Sequence, residues 1–264
     1  YLIARLTPLL SELSLWRPLV VGVGLVTLIA GGLRAMRQTD LKLLLAHGTV
    51  SQLGFMVVLF GVGTPAATRA GWMLLIAHAA FKATLFMVVG ILDHQTGTRS
   101  LGELPALYGR WRIVEITAAL AAASMAGVPL LEGFVAKESA YAAFINGDLS
   151  GETIILVGIV GGSMLTVAYA LRFFAGAFRE PRRRNRAPSR GPVADPTWRF
   201  VVPAALLSGV GVLLGVAPGL VDRFAARAAS ALGLGDPTLH LTLWHGFNLP
   251  LALSAVTLGG GVLV

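Results

Sequence analysis

Residues 113–145 read IVEITAALAAASMAGVPLLEGFVAKESAYAAFI. The run is largely apolar, yet at 33 residues it is too long for one straight transmembrane helix, which needs about 20, and too short for two with a loop. Gly127, Val128 and Pro129 sit near its middle, followed by Glu132, Gly133 and Lys137. Proline removes a backbone donor and clashes with the preceding turn, so a helix breaks there. In lipid the freed backbone groups need protein or water as partners. Two readings fit: one span broken at 127–129, or a tight hairpin of two half-spans.

The rest of the chain bears on that choice. It has 264 residues, 55% hydrophobic and 13% charged, with a mean hydropathy of +0.75. A water-soluble domain carries about 25% charged residues. This chain has too little polar surface to coat itself, and lipid is the solvent its composition fits. Six apolar spans can be read, at 19–33, 41–62, 71–92, 113–145, 153–178 and 200–217, and a seventh begins at Leu249. The predicted fold class is all-α: a polytopic membrane helix bundle with one discontinuous transmembrane helix.

Charge on the connections decides between the two readings. With 113–145 counted as one crossing, the connections 34–42, 93–112 and 179–199 share one face and carry thirteen Lys and Arg, against Arg5, Arg17, Arg69, Arg223 and Arg227 on the other. Counted as two crossings, the split becomes six against twelve. Only the single crossing gathers every basic connection on one face, which is then cytoplasmic. The net charge of +8 and pI near 10.8 thus reflect topology. Seven of the 21 basic residues lie in the Pro-rich stretch 179–199, and no nucleic-acid partner is expected. The absence of cysteine excludes disulfides, thiolate metal sites and iron–sulfur clusters within the chain. With no Gly-rich phosphate cradle after a strand, no cofactor or metal is expected.

The segment 219–247 opens with Leu220, Phe224, Ala228 and Leu232 beside Arg223 and Arg227, the pattern of an amphipathic helix at the membrane interface. Trp244 suits the aromatic belt. Gly22, Gly24, Gly31 and Gly32 suit close helix packing. The chain starts at Tyr1 in a short apolar piece and stops inside the apolar run 249–264; it reads as a fragment of a longer protein.

Lysine is the sharpest chemical signal. The chain has 18 arginines but only three lysines. Lys42 sits beside a loop; Lys82 lies mid-span and Lys137 follows the helix break. Arginine stays charged in any protein environment, whereas a desolvated lysine can lose its proton. Holding such a charge at mid-membrane costs about 2.5–3.5 kcal/mol on insertion scales. That cost points to function; a static ion pair locking two helices is the plainer reading. His78 precedes Lys82 by four residues and shares its face, as a proton-relay partner would; a hydrogen bond to a neighbouring carbonyl would account for it equally simply. His47, Thr49, Ser51 and Gln52 make the second span polar, either for interhelical hydrogen bonding or to line a hydrated path to His78 and Lys82. Glu132 and Glu138 flank the break as counter-ions or proton acceptors.

Three ordered motifs carry a family resemblance: TDLKLLLAHGTVSQLGFM from Thr39, HAAFKATLFMVVGILDHQTGTR from His78, and GVPLLEGFVAKES from Gly127. They resemble the antiporter-like subunits shared by respiratory complex I and Mrp-type cation/proton antiporters. DHQTGTR and LWHGFNLPL, from Leu243, look most like the large A-type Mrp subunit. The resemblance covers essentially the whole chain and implies a piece from the middle of the subunit. It implies a proton relay through His78, Lys82 and, on a discontinuous helix, Lys137. The family's other key Glu and Lys would lie before Tyr1. The sequence departs from the family at Leu74, where complex I relatives often have a second His, at His47 for the usual Tyr, at Leu130 for a second Pro, and at Glu132.

The resemblance further implies residues 1–178 as the second half of a proton-translocating module. Residues 179–264 then comprise a basic cytoplasmic loop, a further span, the amphipathic segment and a truncated helix. The expected partners are other subunits of a multisubunit complex, membrane lipid, H+ and Na+ or K+, in a bacterial cell membrane. The chain is then a transporter subunit, not an enzyme. The alternatives are a proton-pumping subunit of a redox complex, such as a quinone reductase or membrane hydrogenase, and a structural scaffold with static buried ion pairs.

Overall fold

The computed structural model describes residues 1–105, 107–145, 151–178, 193–236 and 248–264. Among them are ten helices and no β-strand: α1 (Leu2–Leu10), α2 (Trp16–Met36), α3 (Leu41–Val62), α4 (Pro65–Thr96), α5 (Arg112–Ala126), α6 (Glu132–Ile145), α7 (Glu152–Phe178), α8 (Trp198–Val216), α9 (Gly219–Ser230) and α10 (Leu249–Leu263). α2, α3, α4, α7 and α8 are each long and apolar enough to cross a membrane. The chain is an all-α membrane helix bundle.

Local chemistry sets the boundaries. Asp40 caps α3 by accepting from the Leu43 amide at 3.0 Å, and Thr64 caps α4 from Ala67 at 3.3 Å, with Pro65 opening the helix. Side-chain oxygens at these positions satisfy amides that lack an intrahelical acceptor. Gly63 and Gly97 end α3 and α4 in the left-handed conformation, at φ +74° and +70°. These caps carry α4 well past the expected 71–92 at both ends, so Arg69 falls inside the helix. α2 and α3 pack as close antiparallel partners. A Cβ on Gly54 would stand 2.4 Å from the Leu28 amide nitrogen, and one on Gly31 2.6 Å from that of Ser51. Gly24 and Gly32 also meet neighbouring helices, while Gly22 faces open space and has no packing role of this kind.

One end of the bundle is tied by its connections. Leu101 donates its amide to the Thr39 carbonyl at 2.8 Å and lies against Gly176 of α7. Arg172 donates to the Gln38 carbonyl at 3.1 Å. Trp111 Nε1, just before α5, donates to Asp195, just before α8, at 2.9 Å. That bond, reinforced by Arg110, holds the Asp195 carboxyl below its ordinary range. Asp40 is nudged up by partial burial, but the hydrogen bond and charge of Arg99 outweigh this and leave it lowered.

These contacts place the start of α5 and the end of α7 at the same end of the bundle. α7 runs parallel to α2, with Gly158 against Leu25, Gly162 against Leu28 and Leu165 against Gly32. α5 therefore begins where α7 finishes, and α5 and α6 cross once between them. The hairpin reading is excluded. The break is made by Gly127 at φ +89° and Leu130 at φ +71°. For a non-glycine residue that left-handed conformation costs about 1–2 kcal/mol.

α9 presents two different faces. Leu220 and Phe224 are exposed, while Val221, Asp222, Ala225 and Ala229 form the buried face packed on α4. Arg69, counted from sequence on the side opposite the basic face, is buried and paired to Asp222 through Nε at 2.8 Å and through Nη2. Trp244 and the arginines of 179–190 lie outside the described residues.

Candidate functional site

Lys82 sits on the buried side of α4. Its Nζ donates to the Leu45 carbonyl of α3 at 3.0 Å and lies 5.5 Å from the centre of the Tyr169 ring of α7. Thr49 Oγ1 donates to the same carbonyl at 3.0 Å. Gly48 makes room for the amine: a Cβ there would stand 2.8 Å from Lys82 Nζ and 3.0 Å from the Tyr169 ring. His78 is buried one turn earlier, its ring edge-on to Phe81 at 5.4 Å and its Nδ1 without a hydrogen-bond partner among the described residues.

Lys137 belongs to α6 but reaches across the break. Its Nζ donates to the carbonyls of Met125 and Ala126 at 3.0 and 2.8 Å. These are end-of-helix carbonyls of α5, which have no intrahelical partner and carry the negative end of the helix dipole. Gly127 is required twice, for its positive φ and because a Cβ would meet Lys137 Cδ at 2.9 Å. Ser124 Oγ accepts from the Gly133 amide at 3.2 Å, so the two half-helices are tied by side chain as well.

The other sequence-selected residues divide. Ser51 donates to the Leu28 carbonyl at 2.7 Å, an interhelical tie between α3 and α2. Gln52 donates to Thr166 Oγ1 at 2.9 Å and to Tyr169 OH at 3.4 Å. His47 is half-buried on α3. Glu132 is fully buried with neither carboxylate oxygen hydrogen-bonded among the described residues; Lys137 turns to the α5 carbonyls instead of this acid. Glu138 is buried on α6. A crevice of about 10 Å³ between α4, α5 and α8, lined by Phe81, Thr84, Ser124 and Ser208 among others, has room for about one water beside the break.

Sequence reasoning missed the polar residues of α7 and their neighbour on α6. Ser163, Thr166 and Tyr169 recur every third residue in a mostly apolar span, and Tyr141 follows Lys137 by four. That spacing was visible, but which face of α7 met Lys82 was not.

Both lysines are thus held by carbonyls of a neighbouring helix. An amine held in this way can release its proton without leaving an unpaired carboxylate behind. Over residues 1–166 the chain matches the family described as "NADH:quinone oxidoreductase/Mrp antiporter, TM". The chain belongs to this family. Among its relatives, a probable K(+)/H(+) antiporter A/B subunit of Rhizobium meliloti is 37% identical over 99% of the chain and 26% of its own length. The A-type subunit of a Na(+)/H(+) antiporter of Alkalihalophilus pseudofirmus is 31% identical over 100% of the chain and 36% of its own length. A chain of the Mrp complex from Dietzia sp. superposes with a TM-score of 0.85 at 38% identity, covering 100% of this chain and 28% of that one. The archaeal membrane-bound sulfane sulfur reductase gives 0.75 at 28% identity, covering 91% and 39%. The chain therefore spans about a quarter to two-fifths of the length of these proteins.

Proposed function

We propose that this chain is the proton-handling second half of the A-type subunit of an Mrp-type monovalent cation/proton antiporter in a bacterial cell membrane. It works as a transporter subunit within a multisubunit complex, not as an enzyme, and exchanges Na+ or K+ for H+. The observation that carries the reading is the pair of buried lysine amines, each seated on backbone carbonyls of a neighbouring helix, one at mid-span and one at a helix break. The Na(+)/H(+) and K(+)/H(+) names of the relatives support it.

In this mechanism His78 and Lys82 take up a proton and pass it toward Lys137. A charge on one lysine disfavours a charge on the next, since like charges in a low-dielectric interior repel strongly. Proton steps are thereby coupled in order. Gln52, Thr49 and Ser51 keep the α3 side of the route polar, and Glu132 and Glu138 stand at the break. The end of the bundle bearing Arg34, Arg37, Lys42, Arg99, Arg110 and Arg112 faces the cytoplasm. The likeness to the sulfane sulfur reductase favours a second reading, a pumping subunit driven by electron transfer elsewhere. Purification with flavin or iron–sulfur subunits would support that reading.

The test uses the full complex in vesicles. Lys82→Ala or Lys137→Ala is expected to abolish cation-dependent proton flux with the complex still assembled. Undiminished flux in both variants would overturn the assignment.

A further inference from the structure

We infer that Tyr169 of α7 is a positioning residue of the relay, whose ring face holds Lys82 in its protonated form. This rests on the proton-relay reading above and says what in the site tells a loaded lysine from an unloaded one.

Lys82 is buried, and no ion pair among the described residues involves it. An ammonium has three N–H donors. Among the described residues Lys82 uses one of them, on the Leu45 carbonyl at 3.0 Å. That carbonyl is shared, since Thr49 Oγ1 donates to it as well. Lys137 is better supplied, with the Met125 and Ala126 carbonyls at a helix end. What Lys82 has instead is the Tyr169 ring, whose centre lies 5.5 Å from Nζ. That is inside the roughly 6 Å over which a cation is drawn to an aromatic face. The bare backbone at Gly48 brings the amine and the ring together. A Cβ there would meet Nζ at 2.8 Å and the ring at 3.0 and 3.2 Å.

The carbonyl and the ring treat the two protonation states of Lys82 differently. A carbonyl accepts a hydrogen from an ammonium or from a neutral amine. The negative face of an aromatic ring draws in the cation alone. The ring is therefore the part of the site that discriminates between the two states. Its pull is greatest where water is excluded, and Tyr169 is fully buried. The Tyr169 hydroxyl lies 3.4 Å from Thr166 Oγ1, from the Gly48 carbonyl and from Gln52 Nε2. Gln52 also donates to Thr166 Oγ1 at 2.9 Å. The hydroxyl's contacts are long beside the usual O–H···O length of about 2.5–3.0 Å. They steer the ring, and the packing around it holds it in place.

The experiment uses the intact antiporter complex in vesicles, with phenylalanines of increasing ring fluorination incorporated at position 169. Fluorine draws electron density off the ring face while the ring keeps its shape. Cation-dependent proton flux is expected to fall step by step along the series, by roughly tenfold at full fluorination, at unchanged complex yield and melting temperature. Tyr169→Phe, which loses only the hydroxyl and its long contacts, is expected to stay within about threefold of the parent. Tyr169→Leu, which removes the ring face, should match the fully fluorinated ring. A ring that only fills space would give the same flux whatever its fluorination. If flux is indifferent to fluorination while Lys82→Ala abolishes it, the role of the ring is overturned and the relay stands. If Lys82→Ala retains flux, the relay reading itself fails and this inference with it.

Discussion

Gly48 shows how one residue decides where a charge can sit. Lys82 reaches the Leu45 carbonyl only because the α3 surface is bare at that point, with the Tyr169 ring closing the other side. A methyl group there meets the amine and the ring together, and the ring cannot step aside within a packed core. Gly48→Ala is expected to push the amine off Leu45, lowering proton flux several-fold at a stability cost of about 1–3 kcal/mol. Gly90→Ala, on the same helix as Lys82 but facing open space, is the control and should change neither flux nor melting temperature. Equal behaviour of the two variants would show that the site does not depend on this clearance. The same logic separates the two lysines from the sequence-selected acids. Lys82 and Lys137 were identifiable from the cost of charge in lipid alone. That Lys137 would take the α5 carbonyls and leave Glu132 without a hydrogen bond among the described residues depends on how the two half-helices meet, which no local pattern encodes.

Among the elements, α9 shows what the bundle adds to a helix's own pattern. Read alone, it is an amphipathic segment with Leu220 and Phe224 as its apolar face. In the bundle it turns Val221, Ala225 and Ala229 inward and pairs Asp222 with Arg69 of α4. The pair's side chains are only 7% and 13% exposed, so water screens it little. Removing one partner from such a pair leaves an uncompensated buried charge, at about 3–5 kcal/mol. Asp222→Ala is thus expected to lower the melting temperature of the purified complex markedly. The double variant Arg69→Met with Asp222→Leu should recover most of the loss, since apolar residues of similar volume often replace a buried pair without penalty. An unchanged melting temperature in Asp222→Ala would mean that α9 is held by apolar packing alone. The break between α5 and α6 behaves in the opposite way. Gly127 and Pro129 announced it in the sequence, because the backbone limits of those residues act whatever surrounds them. The left-handed Leu130 was not announced, since leucine has no local reason to adopt it.

For the whole molecule, the charge count on the connections and the packing of the helices reach the same topology by independent routes. A labelling experiment checks it directly, because the chain has no cysteine to interfere. Gly102→Cys and Gly219→Cys both fit, as a Cβ at either position meets nothing within 4 Å. An impermeant thiol reagent is expected to label position 102 from the cytoplasmic side and position 219 from the opposite side. Labelling of both from one side would overturn the single crossing of α5 and α6. What the sequence determined by itself is the solvent, the spans, the break and the two costly lysines. Each follows from a property local to a short stretch: hydropathy over a helix length, the backbone limits of Gly and Pro, the price of a charge in lipid. What only the tertiary structure decided is which groups face one another: Lys137 with the carbonyls of α5, Arg69 with Asp222, and the hydroxyls of Thr166 and Tyr169 on α7 with Gln52. Those meetings depend on the rotation and depth of each helix against its neighbours. In an evenly apolar chain, helix rotation leaves almost no periodic trace, because lipid and protein present nearly the same surface to the residues that face them.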